Sequence, residues 1–391
     1  MTQDISKSID ACAAFYGEDA DAVRAYMTDG QKRALELPNR GPIKFTEDGE
    51  LDPAIRQAYS DYGFYVFTNV LSDEELSDLR RDMDKMRGQF PAKPGGKEAR
   101  DGSGPALGFG HKGLNLLWSK PLADPFGGTP LANGRHHVKL FEPDAGDDAP
   151  EAAPFLLVGS LQYSESCLRL YAHPQLLKVV ESINGKDFAP FNEVLFIKDP
   201  FLGAAVSWHQ DGDTHWEADN FDEDIHGFNF MGQLYGSTAV NGVWVVPGTH
   251  KLGRMDIKKM VAEAGSERLP DAVPIVSNPG DVVINNRQIV HGSFANTGFE
   301  TRVSANFGFH KRSSVQDVKG AGIHAQAVVY TDDYIKERSA VIGYGINARK
   351  QRFPDETPYD YAPLAGEMDD YKFTPEVMDA IKEYNLKDLS I

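Results

Sequence analysis

The sequence is short of cysteine, of basic charge and of long apolar runs, and each shortage removes a class of protein. Only Cys12 and Cys167 occur among 391 residues, too few for a disulfide framework or a thiolate zinc site. Any metal must therefore rely on histidine and carboxylate ligands. Forty Lys and Arg stand against 58 Asp and Glu, a formal net charge of -18, and an acidic surface repels both nucleic acid and anionic membranes. Nothing approaches the roughly 18 apolar residues of a membrane span, and Met1 to Ile9, which carries Asp4 and Lys7, leads into no apolar run. Repeats and low-complexity tracts are also missing. We expect a cytoplasmic protein that takes a small-molecule substrate, with neither nucleic acid nor membrane as partner and with its oligomeric state left open. What is present, 41% hydrophobic residues with 10% aromatics, suits a well-packed core.

Taken in order, the chain from Thr2 to about Glu50 is weakly helical. Gly63 to Phe67 reads as a strand, and Ser72 with Glu75 has the spacing of a capping box ahead of a helix that buries Leu76, Leu79, Met83 and Met86. Residues 91–113 and 121–154 are rich in Gly, Pro and charge, and are expected to be loops, either a lid or solvated insertions. Pro174 to Ile183 reads as a helix stopped by Gly185. Then come short runs, 191–198, 204–209, 228–234, 242–246, 281–285 and 302–309, separated by Gly, Pro, Asn and Asp, a texture that suggests an antiparallel double-sheet roll. A last helix is expected over Thr374 to Tyr384. The reading is one domain over 1–391, with a helical extension at 1–62, the core at 63–311 and a C-terminal extension at 312–391.

Trp208-His209-Gln210-Asp211 sets an imidazole and a carboxylate two residues apart in a predicted strand, where both project to one face. A lone His-x-Asp is most often a surface pair, so a third ligand decides. His215, His226, His250, His291 and His310 are the candidates, and spacing alone does not rank them. Context favours His291, which follows a turn and the apolar strand Asp281 to Ile284 and stands eleven residues before Arg302. Two imidazoles, a carboxylate and open positions suit ferrous iron, and Arg302 on the next strand is placed to hold the far carboxylate of a 2-oxo diacid.

Four ordered motifs resemble the phytanoyl-CoA dioxygenase family of iron(II)- and 2-oxoglutarate-dependent oxygenases. They are Gly63-Phe64 with the Leu71 to Glu75 helix start; Trp208 to Asp211; Val246-Pro247-Gly248-Thr249-His250-Lys251, with Thr where the family has Ser; and Pro279-Gly280-Asp281 with His291, Asn296 and Arg302. The resemblance implies a mainly β fold with flanking helices, a double-stranded β-helix or cupin-like jelly roll. It implies Fe(II) held by His209, Asp211 and His291, 2-oxoglutarate anchored by Arg302, and O2 as second co-substrate, with release of succinate and CO2. It also allows Asn192 or Lys198, which share a face of one strand, to touch 2-oxoglutarate. Halogenating relatives have a small residue at the position of Asp211, so its presence implies hydroxylation of a C–H bond or another oxidation, and not halogenation.

Two other readings compete: a non-catalytic jelly-roll ligand-binding protein, and a metal-dependent isomerase or hydrolase that needs no 2-oxoglutarate. His250 is expected to organise its Pro-Gly turn. His215 and Trp216, close behind the metal motif, are read either as facing substrate or, in preference, as part of a packed loop, and the acids from Glu217 to Asp224 as a solvated charge run. Arg135, His136, His137 and Lys139 form the one basic cluster, read either as a dock for an anionic group or as an exposed loop.

Overall fold

The computed structural model describes residues 4–211, 227–320 and 327–389. Helices α1 (Ser6–Ala14) and α2 (Ala20–Glu36) come first, then β1 (Arg40–Gly41) and α3 (Pro53–Tyr62). The sequence sets the boundaries of α3 locally. The Asp52 side chain accepts from the Ala54 N–H, Pro53 occupies the first turn, and Gly63 at φ 78 reverses the chain into β2 (Phe64–Phe67). Next, α4 (Asp73–Gln89) starts at the expected box, in which Ser72 and Glu75 bond each other's backbone N–H, and it buries Leu76, Leu79, Met83 and Met86.

Strands β3 (Leu116–Ser119) and β4 (Ala153–Val158) flank the 121–154 insertion, and helices α5 (Glu165–Tyr171) and α6 (Pro174–Asn184) follow. After them come β5 (Ala189–Lys198), β6 (Val206–His209), β7 (Gly227–Gln233), β8 (Trp244–Val246), α7 (Ile257–Ala264), β9 (Val273–Pro274), β10 (Val282–Asn286), β11 (Val290–Ser293) and β12 (Arg302–His310). The large sheet has the order β1-β2-β10-β7-β12-β5-β4-β3 and the small one β6-β11-β8-β9. From β5 onward the chain alternates between them: β5, β7, β10 and β12 lie in the large sheet, β6, β8, β9 and β11 in the small one. All pairings among these eight strands are antiparallel. That alternation defines a double-stranded β-helix, the jelly roll.

Period-two alternation in β12 then sorts the interior. Val303, Ala305, Phe307 and Phe309 join Phe228, Phe230 and Ile284 in a core covered by Leu79, Leu168, Leu177 and Ile342 from the helices. The opposite face of β12 carries Arg302, Ser304, Asn306 and His310, so the space between the sheets is lined with polar groups. Behind the small sheet, α1 and α2 supply Ile9, Val23 and Met27 against Trp208, Trp244 and Phe294. Gly30 makes that approach possible, because a Cβ there would stand 2.3 Å from the Trp244 ring.

Three regions differ from the sequence-based expectation. Residues 374–384 hold only the short α-turn Val377–Ala380, and Glu383, at φ 63, breaks any continuation. A long helix, α8 (Asp332–Arg352), occupies a stretch with no visible pattern. The pair β3 and β4 extends the large sheet by two strands.

Candidate metal centre

Strands β6 and β11 lie side by side with His209 opposite His291, their ring centroids 4.0 Å apart. Asp211 is not on the strand as its spacing predicts. It lies in a bend just beyond β6, where its N–H donates to the Arg287 carbonyl at 2.8 Å and turns the carboxylate back toward the imidazoles. His209 Nε2 is 3.7 Å from Asp211 Oδ1, and His291 Nε2 is 3.9 Å from Oδ2. One ligating atom from each of the three residues falls within 4.8 Å of the other two.

The tautomers follow from the backbone. His209 Nδ1 lies 2.8 Å from the Ser207 carbonyl and His291 Nδ1 2.9 Å from that of Ile289. A carbonyl only accepts, so each Nδ1 carries the hydrogen and each Nε2 presents its lone pair to the shared point. Burial, together with the facing His291, holds His209 well below the usual imidazole range; burial lowers His291 as well. For Asp211 burial favours the neutral acid, but the positive charge of Arg135, with Arg287 behind it, outweighs it and holds the carboxyl below its usual range. Two neutral imidazoles and one carboxylate whose ligating atoms converge form a donor set for a divalent cation.

Ser293 is two residues beyond His291, about 7 Å along the same face of β11. Lys198 Nζ crosses from the large sheet and donates to Ser293 Oγ at 2.8 Å and to the Phe294 carbonyl at 2.5 Å. Lys198 pairs with Arg302 across β5 and β12, so two cations stand side by side at 0% and 2% exposure. Arg302 donates only a long bond, 3.4 Å, to the Asn241 carbonyl, and its Nε has no partner. Burial lowers the guanidinium to about 10, and burial plus Arg302 pushes Lys198 well below the usual range. Asp124 is the acid that acts on Lys198, and it is already engaged by the Gly127 and Leu140 N–H groups. Among the described residues no carboxylate forms an ion pair with either cation. Asn192 lies six residues back along β5, about 20 Å away, half-buried beside a break in the β5–β12 register. The structure does not bring it to this end of the strand.

The basic cluster in the insertion divides. His137 is exposed. His136 is buried, contrary to the exposed-loop reading, with its ring 4.1 Å from that of His209 and its Nδ1 3.2 Å from the same Ser207 carbonyl. Burial, then Arg135, lowers His136 to about 3. Arg135 forms an ion pair with Asp211 Oδ1 at 3.1 Å. The Arg-His-His run was the available signal; nothing in its spacing tied it to Asp211. His250 donates through Nε2 to the Ser60 carbonyl at 2.9 Å, tying its turn to α3. His310 approaches the Leu389 carbonyl, and neither belongs to the three-residue cluster. His215, Trp216, His226 and the acids from Glu217 to Asp224 lie outside the described residues. Among the described residues no helix is long and apolar enough to cross a membrane.

A family model described as phytanoyl-CoA dioxygenase (PhyH) matches residues 59–304. The peroxisomal phytanoyl-CoA dioxygenase of Rattus norvegicus is 24% identical over 277 residues, 65% of this chain and 67% of that one. Among solved structures, EctD from S. alaskensis with 2-oxoglutarate and 5-hydroxyectoine is similar at a TM-score of 0.48 and 18% identity, covering 70% of this chain and 80% of that one. SnoN, a non-heme alpha ketoglutarate dependent epimerase from nogalamycin biosynthesis, is similar at a TM-score of 0.42 and 15% identity, covering 66% and 82%.

Proposed function

The chain belongs to the phytanoyl-CoA dioxygenase family, and from that premise we propose that it is a cytoplasmic, single-domain Fe(II)- and 2-oxoglutarate-dependent dioxygenase that hydroxylates a C–H bond of a small-molecule metabolite. The observation that carries this reading is the buried Lys198–Arg302 pair. Among the described residues these two basic side chains, withdrawn from water, have no carboxylate at ion-pair distance, which is costly, and a dicarboxylate that places its far end there offsets that cost. A metal-dependent isomerase or hydrolase leaves the pair without a purpose.

The residues fit the implied groups. His209, Asp211 and His291 would hold iron(II) through Nε2, a carboxylate oxygen and Nε2, while Arg302, with its unpartnered Nε, would bind the far carboxylate of 2-oxoglutarate. When bound, the metal supplies activation of O2, coupled to decarboxylation of 2-oxoglutarate to succinate and CO2. The chain does the rest. The Ser207 and Ile289 carbonyls fix the two tautomers, Arg302 and Lys198 orient the co-substrate, and the walls of the roll exclude water from the reacting C–H bond. Asp211 occupies the ligand position that halogenating relatives leave open, which supports hydroxylation.

Anaerobic reconstitution with Fe(II) and 2-oxoglutarate, followed by O2 and pools of candidate metabolites, tests the reading through succinate release. Asp211→Ala should abolish that release. Absence of 2-oxoglutarate binding, with no succinate from any pool, would remove the oxygenase reading altogether.

A further inference from the structure

Resting on the metal site proposed above, we propose that Arg135 restricts Asp211 to ligation through one oxygen and so keeps open a coordination position needed by the co-substrates. Both carboxylate oxygens face an imidazole Nε2, Oδ1 at 3.7 Å from His209 and Oδ2 at 3.9 Å from His291. A cation held between the histidines therefore has both oxygens within its reach, and carboxylates can ligate through one oxygen or two. Arg135 engages Oδ1 at 3.1 Å, and that charge-assisted bond competes with two-oxygen ligation. A chelating 2-oxo acid and O2 require three positions beside three protein ligands; a second Asp211 oxygen would take one of them.

The insertion is built to deliver this guanidinium. At its base, Asp124 closes the loop by accepting from the Gly127 N–H at 3.0 Å and the Leu140 N–H at 2.9 Å. At its tip, the His136 ring is held between Phe126, at 5.2 Å, and the metal-side His209, at 4.1 Å. Its Nδ1 lies 3.2 Å from both the Oγ of Ser207 and the Ser207 carbonyl that orients His209. Arg135 thus departs from a backbone anchored by its neighbour. His136 is a positioning residue for Arg135, and Arg135 is one for Asp211.

The sign of the effect separates this role from simple support. Loss of an ordinary outer partner of a metal ligand lowers metal affinity by about 10–100-fold. Removing Arg135 instead withdraws a positive charge from beside the cation and frees a second oxygen, so metal affinity should not fall. The test is anaerobic titration of the metal-free full-length protein with Co(II), followed by visible absorption, and then titration of the Co(II)-loaded protein with 2-oxoglutarate. Arg135→Ala should bind Co(II) at least as tightly as the unaltered protein, show changed absorption bands before 2-oxoglutarate is added, and bind 2-oxoglutarate about tenfold more weakly. Arg135→Gln, which keeps a donor without the charge, should recover most of the 2-oxoglutarate affinity. His136→Leu, which leaves Asp211 untouched, should reproduce Arg135→Ala. The proposal is overturned by unchanged bands and 2-oxoglutarate affinity in Arg135→Ala, or by a loss of Co(II) affinity with unchanged bands. A different failure, no Co(II) binding by the unaltered protein or undiminished binding by His209→Ala, removes the metal site itself and this proposal with it.

Discussion

Apart from Arg287, which lies over the Phe191 ring at 3.9 Å, the buried arginines fall in two regions of the described structure whose surroundings differ in one respect. In the helical layer outside the large sheet, each faces a carboxylate. Arg338, with a fully buried side chain, meets Asp388 at 2.9 Å; Arg169 meets Asp78 at 2.9 Å; Arg349 meets Glu75 at 2.7 Å. Between the two sheets, Arg302 is just as deep and faces another cation, Lys198. Both arrangements remove a charge from water, but among the described residues only the first returns a counter-charge. A buried arginine with its acid holds the structure together, whereas one without an acid marks where an acid from outside belongs.

The sharpest way to break this comparison is to remove each guanidinium in turn. Arg338→Met leaves Asp388 buried and uncompensated and should cost about 3–5 kcal/mol of stability, read as a fall in the urea midpoint. Arg302→Met strands no acid among the described residues and removes a desolvated charge, so its midpoint should be unchanged or higher. Equal losses in the two variants would erase the distinction.

Ligand linkage sharpens the same contrast from the other side. At about 100 times its dissociation constant, 2-oxoglutarate should stabilise the metal-loaded protein by about 2.7 kcal/mol. Arg302→Met should abolish that increment in a thermal melt, while a variant in the helical layer such as Arg169→Met should keep it. A retained increment in Arg302→Met would show that the co-substrate is anchored elsewhere.

Much of this site could be read in the sequence because its parts are local. His209 and Asp211 are two residues apart, and His291 and Arg302 sit on strands that follow each other. Arg135 escaped because it reaches Asp211 from an insertion with no periodicity, through a contact that only tertiary structure creates. The fold was legible where apolar and polar residues alternate, as in β12 with Val303, Ala305 and Phe307 against Arg302, Ser304 and Asn306, and illegible where the buried face is itself partly polar. Helix α8 buries Arg338, Ser339, Gly343, Gly345 and Arg349 among Ile335, Val341, Ile342 and Ile346, so its buried face is not an apolar stripe. At the C-terminus the expected helix over 374–384 had a partial stripe, but so short a segment is marginal without tertiary support, and the chain instead breaks at Glu383 to dock Tyr384 and Asn385.

The helical layer should also respond to acid. His173 lies 3.8 Å from Glu75, a neighbour that favours the charged ring, yet burial and then Arg349 hold its pKa well below the ordinary value. The unfolded chain therefore binds a proton that the folded one refuses, and stability falls as pH drops below about 6.5. His173→Leu should lessen the loss between about pH 7 and about pH 5 by up to about 2 kcal/mol, measured by urea unfolding at both values. An unchanged pH slope would mean that the folded ring takes up the proton after all.

The smallest effects belong to the two residues that share a strand face with each other but not a location. Lys198 has spent two of its three donors on Ser293 and Phe294, and Arg302 beside it opposes its charge. Its contribution to an incoming carboxylate is then nearer one ordinary hydrogen bond than an ion pair, about 0.5–1.5 kcal/mol. Lys198→Met should accordingly weaken 2-oxoglutarate binding by about tenfold at most, well short of Arg302→Met. Asn192, about 20 Å along the strand, is beyond the reach of a molecule held at Arg302 and the metal ligands, so Asn192→Ala should leave 2-oxoglutarate affinity unchanged. Isothermal titration of the metal-loaded variants orders the three positions; a loss in Asn192→Ala as large as that in Lys198→Met would place the co-substrate along the strand and away from the cation pair.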